Sequence, residues 1–175
     1  MYRSRVLAAL LCALVLASSP ALFAEHHETE TNAYQRNVDF VAGRVVQLAE
    51  AIPAEAYGWR PMEGVRSVSE AIMHMAAANY FFAGRLGTPA PEGVDPQNME
   101  QITDKAECVA ALEASMKHIV AALGRVEDLD AAMDVFGREA TAHDMVLIAV
   151  GHAHEHFGQL IAYARANQVV PPWSQ

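Results

Sequence analysis

An all-α, antiparallel four-helix bundle is the fold this sequence predicts, and three observations predict it. Apolar residues recur at spacings of three and four through four separate stretches of about twenty residues. Proline- and glycine-rich connections separate those stretches. No strand-length run alternates apolar and polar residues beside a hairpin turn signal. Four such helices in one chain bury their apolar stripes against one another.

The chain opens "MYRSRVLAALLCALVLASSPALFAEHHE". Two arginines, an apolar run from Val6 to about Leu16 and then small residues make the pattern of a secretory signal peptide, with cleavage expected after Ala21 or Ala24. The run is shorter than the ~20 residues a membrane-spanning helix needs. Residues 1–24 are thus expected to be a signal peptide, and residues 25–175 one exported domain, periplasmic or secreted, with no membrane contact after cleavage. "EHHETET" (25–31) reads as a polar tail, His26 and His27 included.

From Asn32 to Ala51, Tyr34, Val38, Val41, Val45 and Leu48 mark one face of the first helix, which Pro53 follows. Residues 53–66 read as a loop whose Trp59 plugs one end of the bundle. "SVSE" (67–70) is a capping box, with Ser67 answered by Glu70, and opens a second helix to about Leu86. Residues 87–103 form a long loop with three prolines, placed either over a pocket or as a plain surface connection. The third helix runs from about Asp104 to Leu123 on Val109, Leu112, Met116, Ile119 and Leu123, with His118 turned to solvent. Residues 124–140 read as an irregular connection holding at most one short helix. Thr141 caps the fourth helix, which ends near Ala166 ahead of Pro171 and Pro172.

Charge and cysteines narrow the partners. The whole chain carries 12 basic and 21 acidic side chains, and removing Arg3 and Arg5 with the signal leaves 10 against 21. A net of −11 argues against nucleic acid or anionic lipid, which need a basic footprint. Cys12 leaves with the signal, so the single remaining thiol, Cys108, forms no internal disulfide and is expected buried and inert.

The chemistry-bearing stretch is "GHAHEHFGQL" (151–160), with three histidines in five positions. At ~100° per residue, His152 and His156 fall about 40° apart, among Met145, Ile148, Ala149, Leu160 and Tyr163, while His154 points away. On the second helix His74 shares a face with Ala71, Ala77, Ala78 and Phe81, small enough on balance to leave room beside a ring. Three histidines from two helices are therefore expected to project into one bundle interior. Each buried imidazole left short of a partner costs ~1–3 kcal/mol, and a shared divalent ion satisfies one nitrogen of each ring at once. Core histidines bonded to a backbone carbonyl or a side chain are the alternative. Three neutral imidazoles suit Zn, Ni, Cu or Fe(II) better than Mg or Ca. Glu-x-x-His does not occur twice, as a carboxylate-bridged di-iron bundle requires, and Cys-x-x-Cys-His is absent.

Three stretches in order carry a family likeness: "YGWRPMEGVRSVSEAIMHMAAANYF" (57–81), "ITDKAECVAALEASMKHIVAAL" (102–123) and "HAHEHFGQLIAYARANQVVPPWS" (152–174). Over about residues 32–174 the chain resembles the DinB/YfiT-like superfamily of four-helix proteins. That resemblance implies a metal site built from His74, His152 and His156, holding a divalent transition metal (Zn, Ni or Fe), and a homodimer. It also implies a metal-dependent transferase acting with a low-molecular-weight thiol. A metal-dependent hydrolase and a non-catalytic metal- or small-ligand-binding bundle are the alternatives, and export tells against the thiol, which is scarcer in an oxidising compartment. Glu70, one turn before His74, and Glu155, beside the pair, are candidates to orient an imidazole or accept a proton, against capping or surface roles. Gln159, ~20° from His152 on the wheel, is a candidate to reach a ligand.

Overall fold

The computed structural model describes residues 20–175, with side chains from residue 31 onward except Asn32. Most of the expected signal peptide (1–24) lies outside the described residues. Four long helices dominate: α1 (Pro20–Ala51), α2 (Val68–Arg85), α3 (Lys105–Leu123) and α4 (Ala142–Ala166). Short 3-10 helices lie at Ala54–Ala56, Pro96–Gln101 and Pro172–Ser174. The expected all-α bundle is what forms. No described helix is long and apolar enough to cross a membrane.

Three helix starts follow from local chemistry. Ser67 Oγ accepts from the Glu70 N–H (3.3 Å) while the Glu70 carboxylate accepts from the Ser67 N–H (2.7 Å). Thr141 and Asp144 repeat this box at α4, and Asp104 caps α3 through the N–H groups of Ala106 and Glu107. Each box satisfies two backbone donors that a helix start would otherwise leave open. Thr141→Ala is expected to lower stability by about 1 kcal/mol in a urea titration, with metal binding untouched. A change in metal affinity would mean that this end of α4 is coupled to the site.

Hydrogen bonds between helices fix their directions. Thr31 in the N-terminal half of α1 reaches the Val126 carbonyl after α3, and Lys105 at the start of α3 reaches the carbonyls of Glu50 and Ile52. α1 and α3 are therefore antiparallel neighbours. Arg66 meets Tyr163, and Phe82 meets His152, so α2 and α4 are antiparallel neighbours as well. α2 and α3, however, lie side by side and run the same way, with Asn79 on Ser115 and Thr88 on His118. A chain leaving α2 must travel back along it before α3 can begin. Residues 86–104 make that return, and the Pro96–Gln101 turn packs on α2 with Met99 buried. The core between the helices is filled by Leu48, Ile52, Ile72, Met75, Leu112, Met116, Met145 and Leu160.

Several expectations need correcting. α1 starts at Pro20, so residues 25–31 are helical and not a frayed tail. Residues 124–140 contain a β-hairpin, β1 (Ala132–Val135) against β2 (Arg138–Thr141), joined by Phe136 and Gly137. Both turn residues have positive φ (53° and 81°), the geometry that matches strand twist in a two-residue turn. His118 is half-buried, not solvent-facing: it donates to the Thr88 carbonyl (3.1 Å) and lies against Tyr80. Ile148 and Phe81 are surface-exposed, so the faces they share with the histidines border an opening and are not wholly core. Cys108 is buried, its Sγ 3.4 Å from the Ile102 carbonyl, and burial pushes its thiol up to about 11.

Candidate metal centre

His74 lies in the second turn of α2, and His152 and His156 lie one turn apart on α4. Because those helices are antiparallel neighbours, the three rings meet at one level of the bundle. Ring centroids are 5.2 Å apart for His74–His152, 4.8 Å for His74–His156 and 4.3 Å for His152–His156. One nitrogen from each falls within 4.8 Å of the other two, the arrangement that could hold a metal ion. His156 is buried, while His74 and His152 are half-buried, on the side where the bundle opens.

Hydrogen bonds decide which nitrogens face inward. His74 Nδ1 lies 2.9 Å from Glu100 Oε1. Burial alone would raise the Glu100 carboxyl, but hydrogen bonds from Arg66 and His74 outweigh it and hold the group below its ordinary range. An ionised carboxylate only accepts, so His74 carries a proton on Nδ1, and in the neutral ring Nε2 is the bare nitrogen. His156 Nδ1 lies 2.7 Å from Gln159 Oε1, and Gln159 Nε2 in turn donates to Tyr163 Oη at 2.9 Å. With its amide turned that way Gln159 can only accept from His156, so this Nε2 is bare too.

The third ring is set differently. His152 Nε2 is 3.3 Å from His74 Nε2, and its Nδ1 is buried with no hydrogen-bond partner. Two ligands ~2.0–2.1 Å from one tetrahedral ion stand ~3.3–3.4 Å apart. Burial, then the imidazoles of His156 and His74 and the charge of Arg66, push His152 down to about 4. Burial also lowers His156, partly offset by its bond to Gln159. His152 and His156 thus stay neutral where free histidine begins to protonate. The donor set, three imidazole nitrogens within 4.8 Å of one another, fits a divalent transition ion.

The other candidates take separate places. Gln159 contacts the cluster through His156. Glu70 caps α2 and pairs with Arg60 (3.1 Å); the backbone N–H of Ser67, then Arg60, hold its carboxyl below the ordinary range. Glu155 is exposed, and His154 is exposed with its Nε2 2.6 Å from Asn37 Oδ1. Trp59 packs edge-on against Tyr163. Glu100 and Arg66 were not found from sequence, since both lie outside regular helix, where no periodicity assigns a face. A carboxylate on a proline-rich segment of suitable length was the one available signal.

Beside the rings lies an open cleft of about 430 Å³, lined by His74, His152, Ala77, Phe81, Phe82 and Phe136 among others. Phe136, at the hairpin tip, stacks on Phe81 with ring planes 15° apart. A larger groove of about 550 Å³ runs between α1 and α3. Among the described residues, the three histidines are the cluster with metal-ligand geometry.

The family model of the DinB superfamily matches residues 37–160. Uncharacterized protein YjoA of Bacillus subtilis (strain 168) is 30% identical over 126 residues, which cover 68% of this chain and 79% of YjoA. The crystal structure of YjoA, described as a DinB-like protein, shares the fold with a TM-score of 0.64 at 25% identity, covering 82% of this chain and 97% of that one. A DinB-like protein from Bacillus cereus ATCC 10987 gives a TM-score of 0.69 over 81% of this chain and 95% of that one; at 14% identity this likeness concerns the fold alone. This chain belongs to the DinB superfamily.

Proposed function

We propose that this protein binds one divalent transition metal (Zn, Ni or Fe) through His74, His152 and His156, and uses it to present a nucleophile to an electrophile seated in the adjoining cleft. The convergence of three imidazole nitrogens within 4.8 Å, two of their rings lining an apolar opening, carries this reading. When bound, such an ion holds a thiol as thiolate, or lowers the pKa of a water toward ~7. The reaction class we favour is transfer of a low-molecular-weight thiol to the electrophile. The chain's own part is to hold His152 and His156 neutral by burial, fix His74 and His156 through Glu100 and Gln159, and shelter the reacting atoms with Phe81, Phe82 and Phe136.

Hydrolysis is the second reading, and one observation favours it. The residues lining the cleft include no Lys or Arg to receive the carboxylates of a charged thiol. Metal-loaded protein incubated with an aromatic electrophile, with and without a small thiol, separates the two. Thiol-dependent product supports transfer, and product at the same rate without thiol supports hydrolysis. No product from either, despite stoichiometric metal, returns the site to binding alone.

Export and self-association belong to the same proposal. The N-terminal 24 residues have signal-peptide character, and the neighbouring exposed side chains of Leu147 and Ile148 on α4 offer an apolar face to a second copy. Intact mass of the exported protein tests the first, a chain starting before Leu22 counting against it. Sedimentation tests the second, and a monomer at micromolar concentration would count against it.

Phe136 gives a sharper check of the cleft. Its left-handed backbone is costly for phenylalanine and natural for asparagine. Phe136→Asn should therefore keep or strengthen the hairpin while removing the ring. Affinity for an apolar fluorescent probe such as anilinonaphthalene sulfonate should fall about tenfold, the effect of losing roughly half a buried phenylalanine. Unchanged probe affinity would place the apolar body elsewhere.

A further inference from the structure

We infer that Arg66, which forms no hydrogen bond with the three histidines, fixes the proton positions of two of them from opposite ends of its own structure. Its guanidinium makes two parallel bonds to Glu100, Nε to Oε2 at 3.1 Å and Nη2 to Oε1 at 3.2 Å. That fork sets the plane of the carboxylate whose Oε1 takes the His74 Nδ1 proton at 2.9 Å. The backbone carbonyl of Arg66 accepts from Tyr163 Oη at 3.1 Å. With that hydroxyl proton committed, only lone pairs remain for Gln159, which must turn its NH₂ toward Tyr163 and its oxygen toward His156. The two chains end on different helices, yet both start at one residue.

Arg66 can serve both because of where it stands. It directly precedes Ser67, the α2 cap, so the capping box fixes its backbone. The return segment brings Glu100 to one side of it, and α4 brings Tyr163 to the other. Arg66 and Glu100 are both substantially exposed, so their ion pair adds little to folding stability. Its role is positional: it leaves Nε2 bare on His74 and on His156, as a metal ligand pair requires. His152 has no such support, and its Nδ1 meets no partner.

The use of this device rests on the metal reading, but the proton positions belong to the metal-free chain and are measured there. Histidine ¹⁵N NMR of the metal-free protein at pH 7.5 should show His74 and His156 protonated on Nδ1. Arg66→Ala and Glu100→Ala should each shift the His74 signals toward a tautomer mixture and leave His156 alone. Tyr163→Phe should do the reverse, and Arg66→Ala with Tyr163→Phe should disturb both. Zn²⁺ affinity, read by chelator competition, should fall about 10- to 100-fold in each single variant, with Arg66→Lys recovering part of the loss. An Nε2-protonated His74 or His156 in the wild type, or His74 signals indifferent to Arg66→Ala, overturns the inference. Wild-type protein with the expected proton positions that takes up no Zn²⁺ overturns the metal reading and leaves this one standing.

Discussion

Replacing His152 and His156 together by alanine is expected to abolish stoichiometric metal binding. A structural zinc site is worth ~10–16 kcal/mol from about four ligands, so two ligands carry about 6 kcal/mol, or roughly 10⁴-fold in affinity. Elemental analysis of untagged protein should find about one transition metal per wild-type chain and none in the variant. Fold is expected to survive, because the substitutions remove a set of facing imidazoles that includes one unpartnered nitrogen. Melting supplies the matching control. A ligand at ~1,000 times its Kd adds about 4 kcal/mol to the folded state, some 10 °C for a domain of this size. Added Zn²⁺ should raise the wild-type Tm by that amount and leave the variant unmoved. Equal metal content in both proteins would remove His152 and His156 from the site.

Acid should weaken the metal-free protein well before carboxylates titrate. His152 has an ordinary value of 6.5 and a folded value of about 4, so the folded state resists its proton. Between those values the unfolded chain binds the proton and the folded chain does not. Stability is therefore full above pH ~6.5, falls as pH drops toward 4, and stops falling on this account below it. His156 is lowered too and adds in the same direction. The full His152 shift corresponds to about 3.4 kcal/mol, which partial solvent access reduces to about 2. Glu70, Glu100 and Asp144 lie below their ordinary range and contribute only at lower pH. Urea midpoints at pH 7 and pH 5 should thus differ in the wild type, and His152→Ala should lose most of the difference. A flat wild-type profile over that interval would mean the rings protonate freely in the fold.

What the sequence disclosed follows the reach of helical periodicity. Ser67 and Thr141 announced their caps, and a helical wheel put His74, His152 and His156 on facing sides while turning His154 out. Those inferences hold because each residue's direction is fixed by its distance along a helix. The same reasoning failed for His118, whose partner carbonyl at Thr88 belongs to the return segment and not to a neighbouring helix. It could not reach Glu100 either: a 3-10 turn on a connection has no periodic face, and its place depends on α2 and α3 being parallel. The hairpin escaped because its strands are four residues long and its turn is Phe-Gly, where Asn-Gly or Asp-Gly is the usual sign.

The order in which the bundle's parts are synthesised has a consequence for when the site can exist. The candidate ligands His74 and His152 stand 78 positions apart, on α2 and α4, and Glu100, which bonds His74, arrives on the segment between them. A nascent chain that has emerged only as far as α3 holds one of three imidazoles. Non-local closure of α4 onto α2 comes last, after its long loop entropy has been met. A chain caught part-way through folding therefore offers a metal at most the His152–His156 pair of α4, and the full set of three becomes a property of the finished bundle alone.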